Sequence, residues 1–121
     1  MKIQVRLSIC NERNKPFMGI GIVWLLQRVE KFRSLNLAAK DMEMSYAKAH
    51  RIVRQLEQEL GKEILTSKHG GSDRGGSDLT PYAKKFIKRY EDFASEAKKQ
   101  TEMIFKRHFS GTYPAKRKTQ Q

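Results

Sequence analysis

The sequence predicts an α+β fold that is mainly helical, and three patterns in its 121 residues support this class. Apolar and polar residues alternate strictly from Lys2 to Cys10, which is typical of a half-buried strand. Apolar residues then recur at helical spacing in the ranges 22–29, 49–60 and 82–104. A glycine-rich stretch, Ser67 to Asp78, separates the last two ranges. Together these patterns predict a short β element followed by several helices.

The N-terminal strand should turn back on itself and lead into a first helix. The polar segment 11–16 is a turn, and Phe17-Met18 begins a returning strand before Gly19 and Gly21 interrupt it. Four apolar residues mark the buried stripe of the helix, which runs to about Arg33: Ile22, Leu25, Leu26 and Val29. Trp24 lies nearly opposite this stripe, so we interpret it as a subunit contact; a tryptophan at the rim of its own domain is the alternative.

The segment Asn36 to Gly61 predicts two short helices joined by a tight turn. Asn36 caps the first helix, and Ala38 and Ala39 are small enough for a close helix crossing. The apolar Met42 and Met44 lie around a turn of about three residues. Small residues, a short turn and a second capped helix are typical of a helix-turn-helix.

The second helix carries two different faces. Ser45 is its N-cap and Gly61 follows its last residue. The apolar stripe comprises Ala49, Ile52, Val53, Leu56 and Leu60. The opposite face comprises Ala47, Arg51, Arg54, Gln55 and Gln58, flanked by Lys48 and His50. These side chains could hydrogen-bond base edges and phosphates, although an ordinary solvated helix face has a similar composition.

The ordered series of motifs resembles a known family. The stretch SLNLAAKDMEMSYAKAHRIVRQLEQELGKEIL is similar to the LysR-type winged helix, and more closely to the DNA-binding domain of the molybdate-responsive ModE family. The matching motifs are Ser34 with Ala38-Ala39-Lys40, Ser45-Tyr46 with Ala49-His50, Gly70-Gly71 with Gly75-Gly76, and Leu79-Thr80. His50 replaces the Trp usual in that family, and Ala83 replaces a Gly. The resemblance implies a winged helix-turn-helix. It also implies that no molybdate binds this chain, because the family holds the oxyanion in a separate C-terminal domain.

The glycine-rich stretch follows a strand predicted at Ile64-Leu65-Thr66. We interpret it as a wing whose residues touch phosphate or the minor groove. The predicted contacts are Lys68, His69, Gly70, Gly71 and Arg74. A surface linker is the plain alternative. A nucleotide-binding loop is disfavoured, because the glycines do not have a Walker or Rossmann spacing.

Thr80 caps, and Pro81 opens, one long helix that should reach about Phe109. A narrow seam runs along it: Tyr82, Phe86, Tyr90, Phe93, Ala97, Gln100 and Ile104. A helix of this length is about 43 Å long, which exceeds the needs of a small domain. We therefore predict that part of the seam pairs with a second copy of the chain.

The amino-acid composition favours some classes of function and disfavours others. The formal net charge of +12 favours a polyanionic partner. With one cysteine and three scattered histidines, the sequence predicts no metal site and no intrachain disulfide. It also shows no nucleophile paired with a base and no pair of carboxylates on one face, so we expect neither catalysis nor a cofactor. No apolar run is long enough to cross a membrane, and no signal peptide is evident, so the sequence predicts a cytoplasmic protein.

We therefore predict a dimeric winged helix-turn-helix that reads double-stranded DNA as a transcriptional regulator, with domains 1–80 (DNA binding), 81–109 (dimerisation helix) and 110–121 (basic disordered tail). Predicted DNA contacts are Asn36, Ser45, Tyr46, Ala47, Lys48, His50, Arg51, Arg54 and the five wing residues. The predicted dimer contacts are Trp24, Tyr82, Phe86, Tyr90, Phe93, Ala97 and Ile104. Two alternatives stay open, a nonspecific architectural nucleic-acid binder and a protein-interaction module.

Overall fold

The computed structural model describes residues 1–69 and 72–109, with only the backbone described for residues 68, 69 and 72–75. Its elements are β1 (Ile9–Cys10), β2 (Pro16–Met18), α1 (Ile20–Phe32), α2 (Leu35–Asp41), α3 (Tyr46–Leu60), β3 (Leu65–His69), β4 (Ser72–Leu79) and α4 (Pro81–Phe109). This confirms the predicted class: mainly helices, an N-terminal hairpin and a long last helix. Gly70, Gly71 and the predicted disordered tail, 110–121, lie outside the described residues.

The chain divides into two compact units. One unit is Arg6–Arg89, and the other contains Met1–Val5 and α4 from Tyr90 onward. In the first unit α1 packs on α2, α2 packs on α3, and β4 packs on α1 and α2. The core includes Met18, Leu25, Leu26, Leu56 and Ile64, all less than 2% exposed. The predicted stripes of α1 and α3 therefore face the interior.

The predicted N-terminal strand is shorter than its alternation suggested. Only Ile9–Cys10 pairs with β2, in antiparallel register, because β2 itself has three residues. The alternation is nevertheless present, since odd-numbered residues from Ile3 to Ile9 are half-buried and even-numbered residues from Lys2 to Cys10 are exposed. The returning strand ends at Met18, directly before the two glycines, as predicted. Gly19 is the N-cap of α1, and Gly21 lies inside that helix.

The predicted N-cap of α2 is wrong by two residues. The hydroxyl Oγ of Ser34 accepts a hydrogen bond from the backbone N–H of Leu37 at 3.0 Å, so Ser34 is the cap and Asn36 lies in the first turn. The helix must begin at Leu35 because this side chain is buried in the core. Ala38 and Ala39 are fully buried, as a close crossing of α2 with its neighbours requires.

The glycine-rich stretch is a β-hairpin, where the sequence predicted a loop after a short strand. Leu65 pairs with Leu79, Thr66 with Asp78, and Ser67 with Ser77. The next pair after Ser67–Ser77 is His69–Ser72. Between these two pairs β3 has one residue, 68, and β4 has four, 73–76, so β4 forms a bulge. Gly76 has φ 97° in this bulge, a conformation that a residue with a Cβ avoids. Hydrogen bonding between the strands overrides the weak strand propensity of Gly, Asp and Ser.

The long helix α4 matches its predicted limits, Pro81 and Phe109. The hydroxyl of Thr80 accepts a hydrogen bond from the Ala83 N–H at 3.1 Å and donates one to the Glu63 carbonyl at 2.7 Å. Ala83, Phe86 and Ile87 are buried in the first turns. Tyr90 is 4% exposed, and this burial raises the pKa of its hydroxyl above the usual value.

Candidate nucleic-acid interface

Helix α3 presents a continuous polar and basic surface. Its buried side is formed by Ala49, Val53 and Leu56. The residues predicted to contact DNA are all exposed on this helix: Tyr46, Ala47, Lys48, His50, Arg51 and Arg54. Lys48, Arg51 and Arg54 carry positive charge, and the small Ala47 leaves room for a ligand close to the backbone. The structure therefore places these six residues on the accessible side of one rigid helix.

The beginning of α3 is held by its cap. Ser45 Oγ accepts a hydrogen bond from the Lys48 N–H at 3.0 Å, as the sequence predicted. The other N–H groups of the first turn point out of the helix end, where the helix dipole favours an anion. Gly61 ends the helix with φ 67°, again as predicted. An anionic ligand would thus meet both the helix terminus and the basic side chains.

Two aromatic rings stand side by side on this surface. The ring centroids of Tyr46 and His50 are 5.7 Å apart with an interplanar angle of 34°. Tyr46 is 40% exposed, so the pair offers an apolar ring face as well as polar edges. Their spacing of four residues made this contact predictable, because such residues are neighbours on a helix surface.

The turn before α3 fixes the angle between α2 and α3. The Met42 N–H donates to the carbonyls of Ala38 and Ala39, and the Met44 N–H donates to Ala39 at 3.0 Å. Glu43 has φ 58°, which reverses the chain direction within this short turn. Met42 and Met44 are half-buried, consistent with their predicted place around the turn.

The β3–β4 hairpin is attached to the end of α1. The Ser77 N–H donates to the Arg33 carbonyl at 2.9 Å, and the Arg33 guanidinium lies 3.8 Å from an Asp78 carboxylate oxygen. Arg33 therefore positions the hairpin and Ser34 caps α2. The sequence named Arg33 only as the end of the first helix and Ser34 only in the family motif, and it selected neither as a positioning residue. Arg33 has φ 57° at the end of α1, which would have been hard to foresee for a residue other than glycine.

The remaining predicted DNA contacts are less completely described. Asn36 is exposed on α2. Lys68, His69 and Arg74 lie in the two strands of the hairpin, but their side chains are outside the described residues. Gly70 and Gly71 lie outside the described residues altogether. The contribution of the wing to binding stays a prediction.

The predicted dimer contacts fall into two groups by burial. Phe86 and Tyr90 are 9% and 4% exposed, so they have little surface left for a partner. Trp24, Phe93 and Ile104 are 49%, 50% and 46% exposed, and Tyr82 and Ala97 are half-buried. The large, exposed apolar side chains of the predicted seam thus lie after Tyr90, at Phe93 and Ile104.

Other chemistry finds little support in the described part of the chain. Among the side chains that the structure describes, no three His, Cys, Asp or Glu residues cluster in a way that could hold a metal ion. The same residues include no helix long and apolar enough to cross a membrane. The only cysteine, Cys10, is exposed and unpaired.

These elements, a short helix and turn before α3 and a two-stranded hairpin after it, define the described chain as a winged helix-turn-helix. A crystal structure of the CbnR DBD–DNA complex has the same arrangement with a TM-score of 0.54 and 21% identity, over 72% of this chain and 98% of that chain. No protein-family model matches the sequence.

Two curated relatives are similar in sequence. The molybdenum-pterin-binding protein MopB of Rhodobacter capsulatus is 33% identical over 79 residues, which is 65% of this chain and 29% of MopB. The transcriptional regulator ModE of Haemophilus influenzae is 30% identical over 69 residues, which is 57% of this chain and 27% of ModE. The resemblance to the ModE family is thereby confirmed. The matched region corresponds to less than a third of either relative's length.

Proposed function

We propose that this chain binds double-stranded DNA in a sequence-specific manner, as a homodimeric transcriptional regulator of the cytoplasm. Helix α3 enters the major groove, with Tyr46, Ala47, His50 and Arg51 nearest the bases. Lys48 and Arg54 bind the phosphate backbone, together with the wing and Asn36. The chain acts by binding and not as an enzyme, and it needs no cofactor or molybdate for this.

The observation that carries the proposal is the division of α3 into a buried apolar stripe and an exposed basic side on a winged helix-turn-helix. The net charge of +12 adds a sequence-independent attraction to phosphate. The relative named as a transcriptional regulator and the CbnR fragment solved with DNA support the same conclusion. A second copy would present a second α3, and two-fold symmetry would then require an inverted repeat with half-sites about one helical turn apart or a multiple of it.

Selection of bound duplexes from a random DNA library at near-physiological salt tests the function. An enriched inverted repeat is the expected result. Retained DNA without enrichment would contradict sequence-specific binding. It would support the architectural alternative, in which affinity depends on salt concentration and not on the DNA sequence. No retention of DNA would contradict DNA binding altogether and favour the protein-interaction alternative.

Two matched variants on α3 test the division between base and phosphate contacts. Arg51→Ala should lower affinity for the selected site by roughly 10- to 100-fold and relax preference at one base pair, because a bidentate contact to guanine discriminates by about 1–3 kcal/mol. Arg54→Ala should weaken selected and unselected duplexes alike and reduce the salt dependence. Electrophoretic mobility shifts with both duplexes provide the measurement. An equal effect of Arg51→Ala on both duplexes would refute its assignment to a base.

A further inference from the structure

The segment from Lys2 to Ser8 has the exposure pattern of a strand but belongs to none of the described strand ladders. Its odd-numbered side chains are half-buried and its even-numbered ones are exposed. Side chains alternate in this way only when the backbone is extended. Pairing within the described hairpin is confined to Ile9–Cys10 and Pro16–Met18. Lys2 to Arg6 therefore offer backbone donors and acceptors that a further strand could use.

The start of this segment belongs to a unit that also carries exposed apolar side chains. Met1–Val5 and α4 from Tyr90 onward form one compact unit. Ile3 and Val5 are half-buried there. On α4 the same unit exposes Phe93, Met103 and Ile104, at 50%, 61% and 46%. Ile3 and Val5 thus belong to the same compact unit as the exposed apolar side chains predicted to meet a second copy.

We propose that Lys2–Ser8 pairs with the same segment of a second copy, antiparallel about a two-fold axis at Val5. This inference rests on the proposed homodimer and specifies how its subunits are joined. In this arrangement Val5 lies opposite Val5 of the second copy, and Ile3 lies opposite Leu7. The apolar residues of both strands then share one face, as strand pairing on a covered surface requires.

Charge selects this register over its neighbours. With the axis at Val5, Lys2 lies opposite Ser8 and Gln4 lies opposite Arg6, so no two like charges face each other. Moving the axis to Gln4 places Lys2 opposite Arg6. Moving it to Arg6 places two arginines opposite each other. Like charges directly opposite on paired strands are destabilising, so both alternative registers are disfavoured.

The same pattern makes a second copy a suitable occupant. A segment whose apolar positions repeat every second residue matches itself in antiparallel orientation without any change of face. Among the registers centred on Gln4, Val5 and Arg6, only the one centred on Val5 places both basic residues, Lys2 and Arg6, opposite uncharged residues of the other strand. An isologous contact of this kind closes after two subunits.

Disulfide formation reports the register directly. In a Cys10→Ser background, Val5→Cys should crosslink most of the chain into a dimer under mild oxidation. Opposite residues have Cα atoms about 4.5–5.5 Å apart, which is within disulfide range. Gln4→Cys and Arg6→Cys should each crosslink poorly alone, because their copies are offset by about 7 Å along the strands. A mixture of these two variants should form the mixed dimer.

Several outcomes would overturn the proposal. Faster crosslinking by Gln4→Cys or Arg6→Cys alone would place the axis elsewhere. A dimer in sedimentation that Val5→Cys does not crosslink would show that another surface joins the subunits, and a monomer would remove the contact. These measurements need no DNA, so they test the dimer contact separately from the proposed function. A crosslinked dimer that does not bind DNA would count against the proposed function. A chain that binds DNA but forms no crosslink would count only against this inference.

A pair of charge variants checks the same register without a covalent bond. Gln4→Lys places a lysine opposite Arg6 twice per dimer and should weaken self-association roughly fivefold. Gln4→Glu places an opposite charge there and should strengthen it by a similar factor. Sedimentation equilibrium at low salt measures both, and circular dichroism verifies that each variant is folded. Equal dissociation constants for the two variants would overturn the assigned register.

Discussion

Helices α3 and α4 are both amphipathic, but they use their apolar sides differently. The apolar stripe of α3 is buried at its centre, with Ala49 and Leu56 at 0% exposure and Val53 at 4%, and half-buried at Ile52 and Leu60. The stripe of α4 is covered at Phe86, Ile87 and Tyr90, and then continues into Phe93 and Ile104, which are half exposed. The accessible side of α3 is therefore basic and polar, whereas that of distal α4 includes large apolar groups.

This difference indicates two kinds of ligand. A basic helix face without large aliphatic side chains suits a hydrated polyanion, whose phosphates and base edges form hydrogen bonds and ion pairs. Exposed large aliphatic and aromatic side chains on one helix suit a protein surface that removes them from water. The proposed function assigns DNA to α3, and the seam predicted from the sequence would bring a second copy of the chain to α4 after Tyr90.

The largest expected effect comes from truncating a buried leucine on α3, compared with truncating a half-exposed isoleucine on α4. Leu56→Ala should reduce the free energy of unfolding by about 2–5 kcal/mol, because it leaves a cavity in a closed core. Ile104→Ala should cost less than about 0.5 kcal/mol at concentrations where the chain is monomeric, because Ile104 is 46% exposed. Urea denaturation followed by circular dichroism measures both. Similar losses for the two variants would refute the contrast between the helices.

Features determined by neighbouring residues were predictable from the sequence. Ser45, Gly61 and the stripe between them define α3, because caps and helical periodicity depend on residues within a few positions. The same reasoning located the start of α4 at Thr80-Pro81. The exposed residues of α3 followed from the position of its stripe. The candidate site on this helix was therefore accessible to sequence reasoning.

Features that depend on distant residues were not predictable in the same way. Strand β4 consists largely of Ser, Asp and Gly, and it forms because it pairs with β3 and bonds to the Arg33 carbonyl. Ser34 and Asn36 are equally good caps by type, and only burial of Leu35 decides between them. The alternation from Lys2 to Cys10 could not reveal that β2 is too short to pair with most of it.

A smaller effect, on self-association, should distinguish the seam of α4 after Tyr90 from the other faces of that helix. Phe93→Asp should weaken self-association at least tenfold, because it places a charge in a contact that buries two copies of the side chain. Ser95→Asp adds the same charge at an exposed position off the seam and should change the dissociation constant little. Analytical ultracentrifugation measures both constants.

The seam assignment would be wrong if both aspartate variants dissociated equally. The intact α3 surface provides a further check, because Phe93→Asp leaves it unchanged. Binding of this variant to a single half-site should therefore match that of the unmodified chain, while binding to the full inverted repeat should weaken. Equal loss on both duplexes would indicate that the substitution disturbs the DNA-binding surface itself.

The smallest effect compares two hydroxyl groups, one on each helix. Ser45→Ala should cost about 1 kcal/mol of stability, because the Lys48 N–H loses its capping acceptor. Thr101→Ala should cost less than about 0.5 kcal/mol. The Thr101 hydroxyl donates to the Ala97 carbonyl, but that carbonyl already accepts a backbone hydrogen bond within α4, and alanine is the better helix former. Thermal unfolding of both variants measures the difference, and Ser45→Asp should restore most of the loss by supplying another capping oxygen. If Ser45→Asp restored nothing, the loss would have to come from a contact of Ser45 other than its cap.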